Sequence, residues 1–270
     1  MLEQALRDWK SLGFEVEPRL IKVFDAGLSH YCGLLESAGQ NFVIKAFTHS
    51  FERTISLEHL ANNAGISPAI LSTSNNIAVY QFIPNREFQI SDLPHLCTSL
   101  KLTHGIKHTN TKAINLLEVC QSYLEYTPNE LRQVHLQLRP LINEFSNDPA
   151  PLVFCHNDLV KENCLFDQQQ AWLIDWEFAQ LNNPWFDLAS VILYFELDKH
   201  QANSFLSDYF SNQEFNVESR ICLIAMLCVL WCDLLWQVKN SGLDYINNNK
   251  ERFETLKNLS KKLGIELTGR

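Results

Sequence analysis

Apolar residues change their spacing near residue 84, so the chain must combine a sheet at one end with helices at the other. Residues 20–26 (LIKVFDA), 30–36 and 41–47 (NFVIKAF) are short runs rich in β-branched and aromatic side chains, separated by turn-forming stretches at Gly27 and Gly39. Residues 51–64 place Phe51, Ile55, Leu57, Leu60, Ala61 and Ala64 at helical spacing, with Gly65 and Pro68 as stop signals. Two further apolar runs, 69–72 and 77–83, end at Pro84. From Ser91 onward the period is helical, with stretches near 91–104, 113–126, 131–145, 201–211, 217–240 and 250–263. Between them, 152–176 holds two short apolar runs (LVFC and AWLIDW) around a polar loop, which reads as a β-insert in a helical domain. The expected architecture is α+β with two lobes: a small antiparallel-sheet lobe over 1–84 and a larger, mainly helical lobe over 85–270, with the linker near 83–88.

With 46% hydrophobic residues over 270 positions, the chain can bury a core of that size. Its 22 basic against 31 acidic residues leave a net charge of −9, which argues against nucleic acid as a partner and favours a small or cationic one. Eight cysteines without a CxxC pair read as reduced core thiols, and the first residues lack the basic and apolar regions of a secretory signal, so the expected location is cytoplasmic. Residues 221–238 (ICLIAMLCVLWCDLLWQV) approach the length of a membrane span. Asp233 and Gln237 interrupt that run, and a carboxylate at the centre of a bilayer costs about 2.5 kcal/mol or more, so the expectation is a buried core helix without membrane insertion.

The chemistry is concentrated in HNDLVKEN and the IDWEF that follows. Asp158 lies five residues before Asn163, and Asp175 comes at the end of the next apolar run. Phosphoryl transfer needs this set: one carboxylate to orient and deprotonate a hydroxyl, and an amide oxygen with a second carboxylate to hold Mg²⁺ on the phosphates. His156 lies on the same loop. In the N-terminal half, Lys45 ends NFVIKAF like the strand lysine that anchors phosphates, and Glu58 on the following helix is a partner for it, favoured over Glu52. The loop with Gly27 and Ser29 offers backbone N–H groups and a hydroxyl to phosphates.

FCHNDLVKENCLF followed by WLIDWEFAQLNNPWFDLASV resembles the paired acidic motifs of the choline/ethanolamine kinase group, which is similar to thiamine kinases and aminoglycoside phosphotransferases. The resemblance implies a protein-kinase-like bilobal fold, ATP as co-substrate, Mg²⁺ as cofactor, Asp158 as catalytic base, Asn163 and Asp175 as metal ligands, and Lys45 with Glu58 as the phosphate-anchoring pair. It also implies adenine contacts at Gln81, Phe82 and Ile83, and Asp187 as a brace for the catalytic loop, beside His156. A protein kinase fits less well, since GxGxxG is missing and about a dozen residues separate Asp175 from Asp187.

A quaternary ammonium is held by aromatic faces and carboxylates, for which Trp231, Tyr194, Tyr245 and Glu177 are candidates. Phe178 and Tyr194 depart from the choline-kinase pattern, so thiamine and amino-sugars stay open as acceptors beside choline and ethanolamine. A nucleotide-binding pseudokinase is disfavoured because every catalytic and metal position holds a competent residue.

Overall fold

The computed structural model describes residues 6, 9–24, 30–107, 112–211, 213–242 and 249–267. These fall into two compact units, Met1–Ile106 with Lys161–Ala179, and Lys107–Val160 with Gln180–Arg270.

The first unit is built on an antiparallel sheet of β1 (Arg19–Phe24), β2 (His30–Ser37), β3 (Gln40–Phe47), β4 (Ile70–Ser74) and β5 (Ile77–Gln81), in the order β1-β2-β3-β5-β4. Two tight turns set its register. Ala38 and Gly39 join β2 to β3 with φ of 50° and 74°, and Asn75 and Asn76 join β4 to β5 with φ of 48° and 64°. Positive φ at both central residues gives the turn twist that strand pairs prefer, and Gly and Asn are the residues that tolerate it best. One face of the sheet packs Leu35, Phe42, Ile44, Ala46, Ile77 and Val79 against Trp9 and Leu12; on the other, Phe47, Ala78 and Tyr80 meet Phe51 and Ile55 of helix α1 (Phe51–Asn63).

Helix α1 stops as its sequence demands. The Gly65 N–H donates to the Asn62 carbonyl at 2.8 Å and the Ile66 N–H to the Ala61 carbonyl at 3.1 Å, with Gly65 at φ 75°. That is a Schellman ending, which needs a left-handed residue after the cap.

The same unit includes helix α2 (Leu93–Gly105) and a hairpin of β7 (Cys164–Phe166) and β8 (Ala171–Leu173). The stretch around the expected linker is fastened to that hairpin. Arg86 makes a two-pronged bond to Asp92 (2.6 and 2.7 Å) and a third to the Asp167 carbonyl (3.0 Å), its own N–H reaches the Phe166 carbonyl (3.1 Å), and Asn85 accepts from the Phe166 N–H (2.8 Å). Ser99 of α2 donates to the Ala171 carbonyl at 2.6 Å. These bonds carry the first unit on to Ile106, beyond Pro84.

In the second unit β6 (Val153–Cys155) pairs with β9 (Gln180–Asn182), and the described helices are α3 (Leu116–Leu124), α4 (Asn129–Ser146), α5 (Trp185–Tyr194), α6 (Lys199–Tyr209), α7 (Arg220–Ser241) and α8 (Lys250–Lys262). Helix α7 is the centre, packed against α3, α4, α5 and α8. By length and composition it is long and apolar enough to cross a membrane, yet its most apolar stretch is 72% buried within the fold. Helix α5 was not among the expected helices. Eight of its ten residues, Trp185 to Ile192, are buried, so it has no polar stripe to reveal a 3.6-residue period.

The Gly65 ending gives a clean test. A Cβ there meets nothing within 4 Å, so Gly65→Ala carries only the cost of a left-handed alanine, about 1 kcal/mol. Urea denaturation should show a lower midpoint with an unchanged slope; equal midpoints would contradict the assigned ending.

Candidate active site

Alternation along β3 sends Phe42, Ile44 and Ala46 into one core and Lys45 to the opposite face, between Cys32 of β2 and Ala78 of β5. Lys45 is only 7% exposed. Its ammonium donates to Asp175 Oδ1 at 2.8 Å and lies 4.8 Å from the centre of the Phe47 ring. Burial pulls the lysine pKa down, but the Asp175 and Glu58 carboxylates outweigh it and hold the group above its ordinary value. Glu58 is buried and Glu52 exposed, which selects Glu58 as the helix carboxylate beside this cluster. Lys45 and Glu58, expected to pair, are not bonded to each other: Asp175 takes the ammonium, and Glu58 Oε2 instead accepts from the Tyr80 hydroxyl at 2.6 Å. Cys32, on the neighbouring strand, is a thiol pushed up to about 11 by burial, so it stays protonated and takes no part in the charge balance.

Asp175 follows β8 at φ 67°, a left-handed conformation uncommon outside glycine that marks a held geometry. Asn163 precedes β7, and its carbonyl accepts from the Ile174 N–H at 3.0 Å, so the hairpin brings Asn163 and Asp175 to the same end. The pair supplies an amide oxygen and a carboxylate, both hard donors. That chemistry fits Mg²⁺, which takes one or two protein oxygens and fills its other positions with phosphate and water.

In the second unit the loop after β6 carries His156, Asn157 and Asp158. Asp187 of α5, fully buried, accepts from the His156 N–H through Oδ2 and from the Asn157 N–H through Oδ1, each at 2.8 Å. Asn157 sits at φ 66°, and its side chain is gripped by the Asn182 amide (2.8 Å) and the Gln180 carbonyl (3.3 Å). This clamp fixes the backbone of the two residues before Asp158. His156 is also fully buried.

The remaining expected residues divide. Trp231 is a correction: it is fully buried on α7 and its indole N–H donates to His135 Nδ1 at 3.1 Å, so it serves the core and offers no face to a ligand. Glu177 also departs from its expected place among the substrate contacts: it is buried in the first unit, 3.3 Å from His30. Tyr194 is half-buried on α5, its ring 5.4 Å from the Arg252 guanidinium, and Arg252 is ion-paired with Asp233. Burial first, then the Asp233 carboxylate to which it is hydrogen-bonded, raise the Tyr194 phenol well above its usual range, and Asp158 adds to the rise. The Tyr194–Asp233–Arg252 group was missed in the sequence, although a carboxylate inside the apolar run of α7 is itself a signal that a partner is near. Gln81 ends β5 with its N–H on the Ala69 carbonyl (2.9 Å), and Phe82 and Ile83 continue from it, Ile83 buried. Gly27, Ser29 and Tyr245 lie outside the described residues.

Burial raises Glu58 to about 7 despite the opposing pull of Lys45 and the Tyr80 hydrogen bond. A carboxyl whose folded pKa lies above its unfolded value of 4.5 contributes fully at low pH and loses that contribution as pH rises through about 7. Relative to the native chain, Glu58→Gln should therefore gain melting temperature steadily between pH 4.5 and about 7. A difference that stays flat across that window would contradict the assignment.

Comparison with known proteins bears on the family match and the fold. Residues 98–220 match the model of the phosphotransferase enzyme family (APH). A stretch of 90 residues is 38% identical to Protein LicA of Haemophilus influenzae, covering 30% of this chain and 33% of that protein, so the match spans a third of that relative's length. The fold is shared with choline kinase LicA from Streptococcus pneumoniae (TM-score 0.77, 18% identity, 97% of this chain and 98% of that one). It is shared as well with LicA in complex with AMP (TM-score 0.74, 19% identity, 95% and 98%). Residues 98–220 thus match the phosphotransferase enzyme family model, and the chain has the α+β, protein-kinase-like fold of choline kinases.

Proposed function

We propose that this protein is a small-molecule kinase that uses ATP and Mg²⁺ to phosphorylate the hydroxyl of a small cationic alcohol, with choline- or ethanolamine-like acceptors foremost. The observation that carries the proposal is the Lys45–Asp175 ion pair at 2.8 Å, its lysine buried and its carboxylate half-buried. It places an ammonium and a metal-competent carboxylate together on the sheet face, as anchoring a polyphosphate requires. The family match and the AMP complex of a LicA of the same fold support a nucleotide as co-substrate. Lys45 would hold phosphate oxygens, and Gln81 to Ile83 the adenine.

Asp158 is assigned as the base. The acceptor oxygen forms a bond to the γ-phosphorus, the bond from that phosphorus to the β–γ bridging oxygen breaks, ADP leaves, and the acceptor's proton passes to the Asp158 carboxylate. Asn163 and Asp175 would hold Mg²⁺, whose charge, when bound, offsets that of the phosphates. Asp187 contributes by keeping the loop rigid, since misplacing the base by even about 1 Å can cost on the order of 100-fold in rate.

A cationic acceptor follows from the resemblance to choline and ethanolamine kinases, and a cation needs an aromatic face and a carboxylate. The Tyr194 ring and Asp233 are such a pair, held here by the Arg252 guanidinium, which an acceptor using them would have to displace. Thiamine and amino-sugars meet the same requirement and remain rival acceptors.

An ADP-release assay over choline, ethanolamine, thiamine, amino-sugars and aminoglycosides tests this reading. One cationic alcohol should stimulate ADP formation, and Asp158→Asn should lower its kcat by about 10²–10⁴-fold with the melting temperature kept. Stimulation by none of the panel, or full turnover in Asp158→Asn, would sink it.

A further inference from the structure

Outside the residues given a role above, His30, His49 and Glu177 of the first unit converge. His30 opens β2, His49 lies between β3 and α1, and Glu177 sits in the 3₁₀ turn Trp176–Phe178. Each offers one ligand atom, and the three atoms lie within 4.8 Å of one another. Glu177 Oε2 is 3.3 Å from His30 Nε2 and 4.0 Å from His49 Nδ1. Ligands bonded at about 2.0–2.2 Å around a tetrahedral ion stand roughly 3.4 Å apart, so only small side-chain movements separate this arrangement from a coordination shell.

The second observation is an unsatisfied atom. The His30 side chain is 3% exposed, and its Nε2 has no hydrogen-bond partner: the Glu177 carboxylate is near enough to pair but not aligned to accept. A buried polar nitrogen left in this state calls for an explanation, and an ion between it and the carboxylate provides one. His49 is exposed and gives the ion an entry path, while Arg53 holds the Glu177 backbone through its carbonyl.

We infer that His30, His49 and Glu177 form a site for a borderline divalent transition-metal ion of the Zn²⁺ class, separate from the all-oxygen pair Asn163 and Asp175. Two imidazoles and one carboxylate select zinc, cobalt or nickel over magnesium, which prefers oxygen alone. Three protein ligands leave a fourth position for water. Loading has a local consequence. The Thr48 N–H now donates to His30 Nδ1 at 3.3 Å, and a metal on Nε2 requires the ring proton on Nδ1, so that contact must end when the ion binds.

The site is tested on the full chain without nucleotide or acceptor, so its outcome is independent of kinase activity. Calorimetric titration should find one Zn²⁺ per chain, undisplaced by excess Mg²⁺. Co²⁺ should give ligand-field bands without thiolate charge transfer, which excludes the eight cysteines. The Thr48 amide resonance should shift with Zn²⁺. Outer-shell groups alone are worth 10–100-fold in affinity, so His49→Ala, at an exposed position, and the near-isosteric Glu177→Gln should each weaken Zn²⁺ binding by at least about 100-fold. His30→Ala should do the same, with its melting curve checked. Absence of zinc uptake, thiolate bands with Co²⁺, or unchanged affinity in both His49→Ala and Glu177→Gln would overturn the inference.

Discussion

A lysine ammonium taken out of water needs a carboxylate, and the first unit is arranged around meeting that need. Stripping an ammonium and a carboxylate of water costs several kcal/mol per ion, and removing one partner of such a pair typically costs about 3–5 kcal/mol. Lys45 meets Asp175 directly and feels Glu58 at longer range. Each neighbouring element contributes to this contact. The turn at Ala38 and Gly39 fixes the register that turns Lys45 away from the hydrophobic face, and α1 carries Glu58 into the interior. The β7–β8 hairpin brings Asp175, and Arg86 fastens that hairpin to the chain that follows the sheet. The phosphate-binding role proposed for Lys45 needs such an arrangement, because a chain of net charge −9 must create any positive site locally.

The second unit solves a different problem, that of holding one loop still. Asp187 uses both carboxylate oxygens on successive backbone N–H groups, and Asn182 fixes the side chain of Asn157 at positive φ. Asp187 is within a helix buried on nearly every side, so the loop before Asp158 is tied to the core of the unit. The same unit keeps a cation, Arg252, against Tyr194 and Asp233. The first unit thus holds an ammonium paired with a carboxylate, and the second a guanidinium seated against an aromatic ring and a carboxylate.

Much of this was legible in the sequence, and the failures have physical causes. The strands of the sheet, the end of α1 at Gly65 and the motif residues all come from local patterns: short runs of β-branched and aromatic residues between turns, a glycine stop and fixed spacing. Helix α5 was hidden because burial on all sides erases periodicity. The partner of Lys45 was misassigned because Asp175 lies 130 residues away, a separation at which only the fold decides who meets whom. Trp231 was legible only as an aromatic on an apolar helix, and whether its face meets ligand or core depends on His135 in another helix. Asp233 interrupts an apolar run, and its partner Arg252 lies 19 residues away on another helix.

The central claim, transfer of the γ-phosphoryl group to an alcohol, is tested most directly by following ATP phosphorus with ³¹P NMR in the presence of Mg²⁺ and candidate acceptors. The account predicts that the γ-phosphorus signal is replaced by a phosphomonoester resonance that depends on a cationic alcohol. Conversion to inorganic phosphate alone, or an unchanged ATP spectrum with every acceptor, would contradict it.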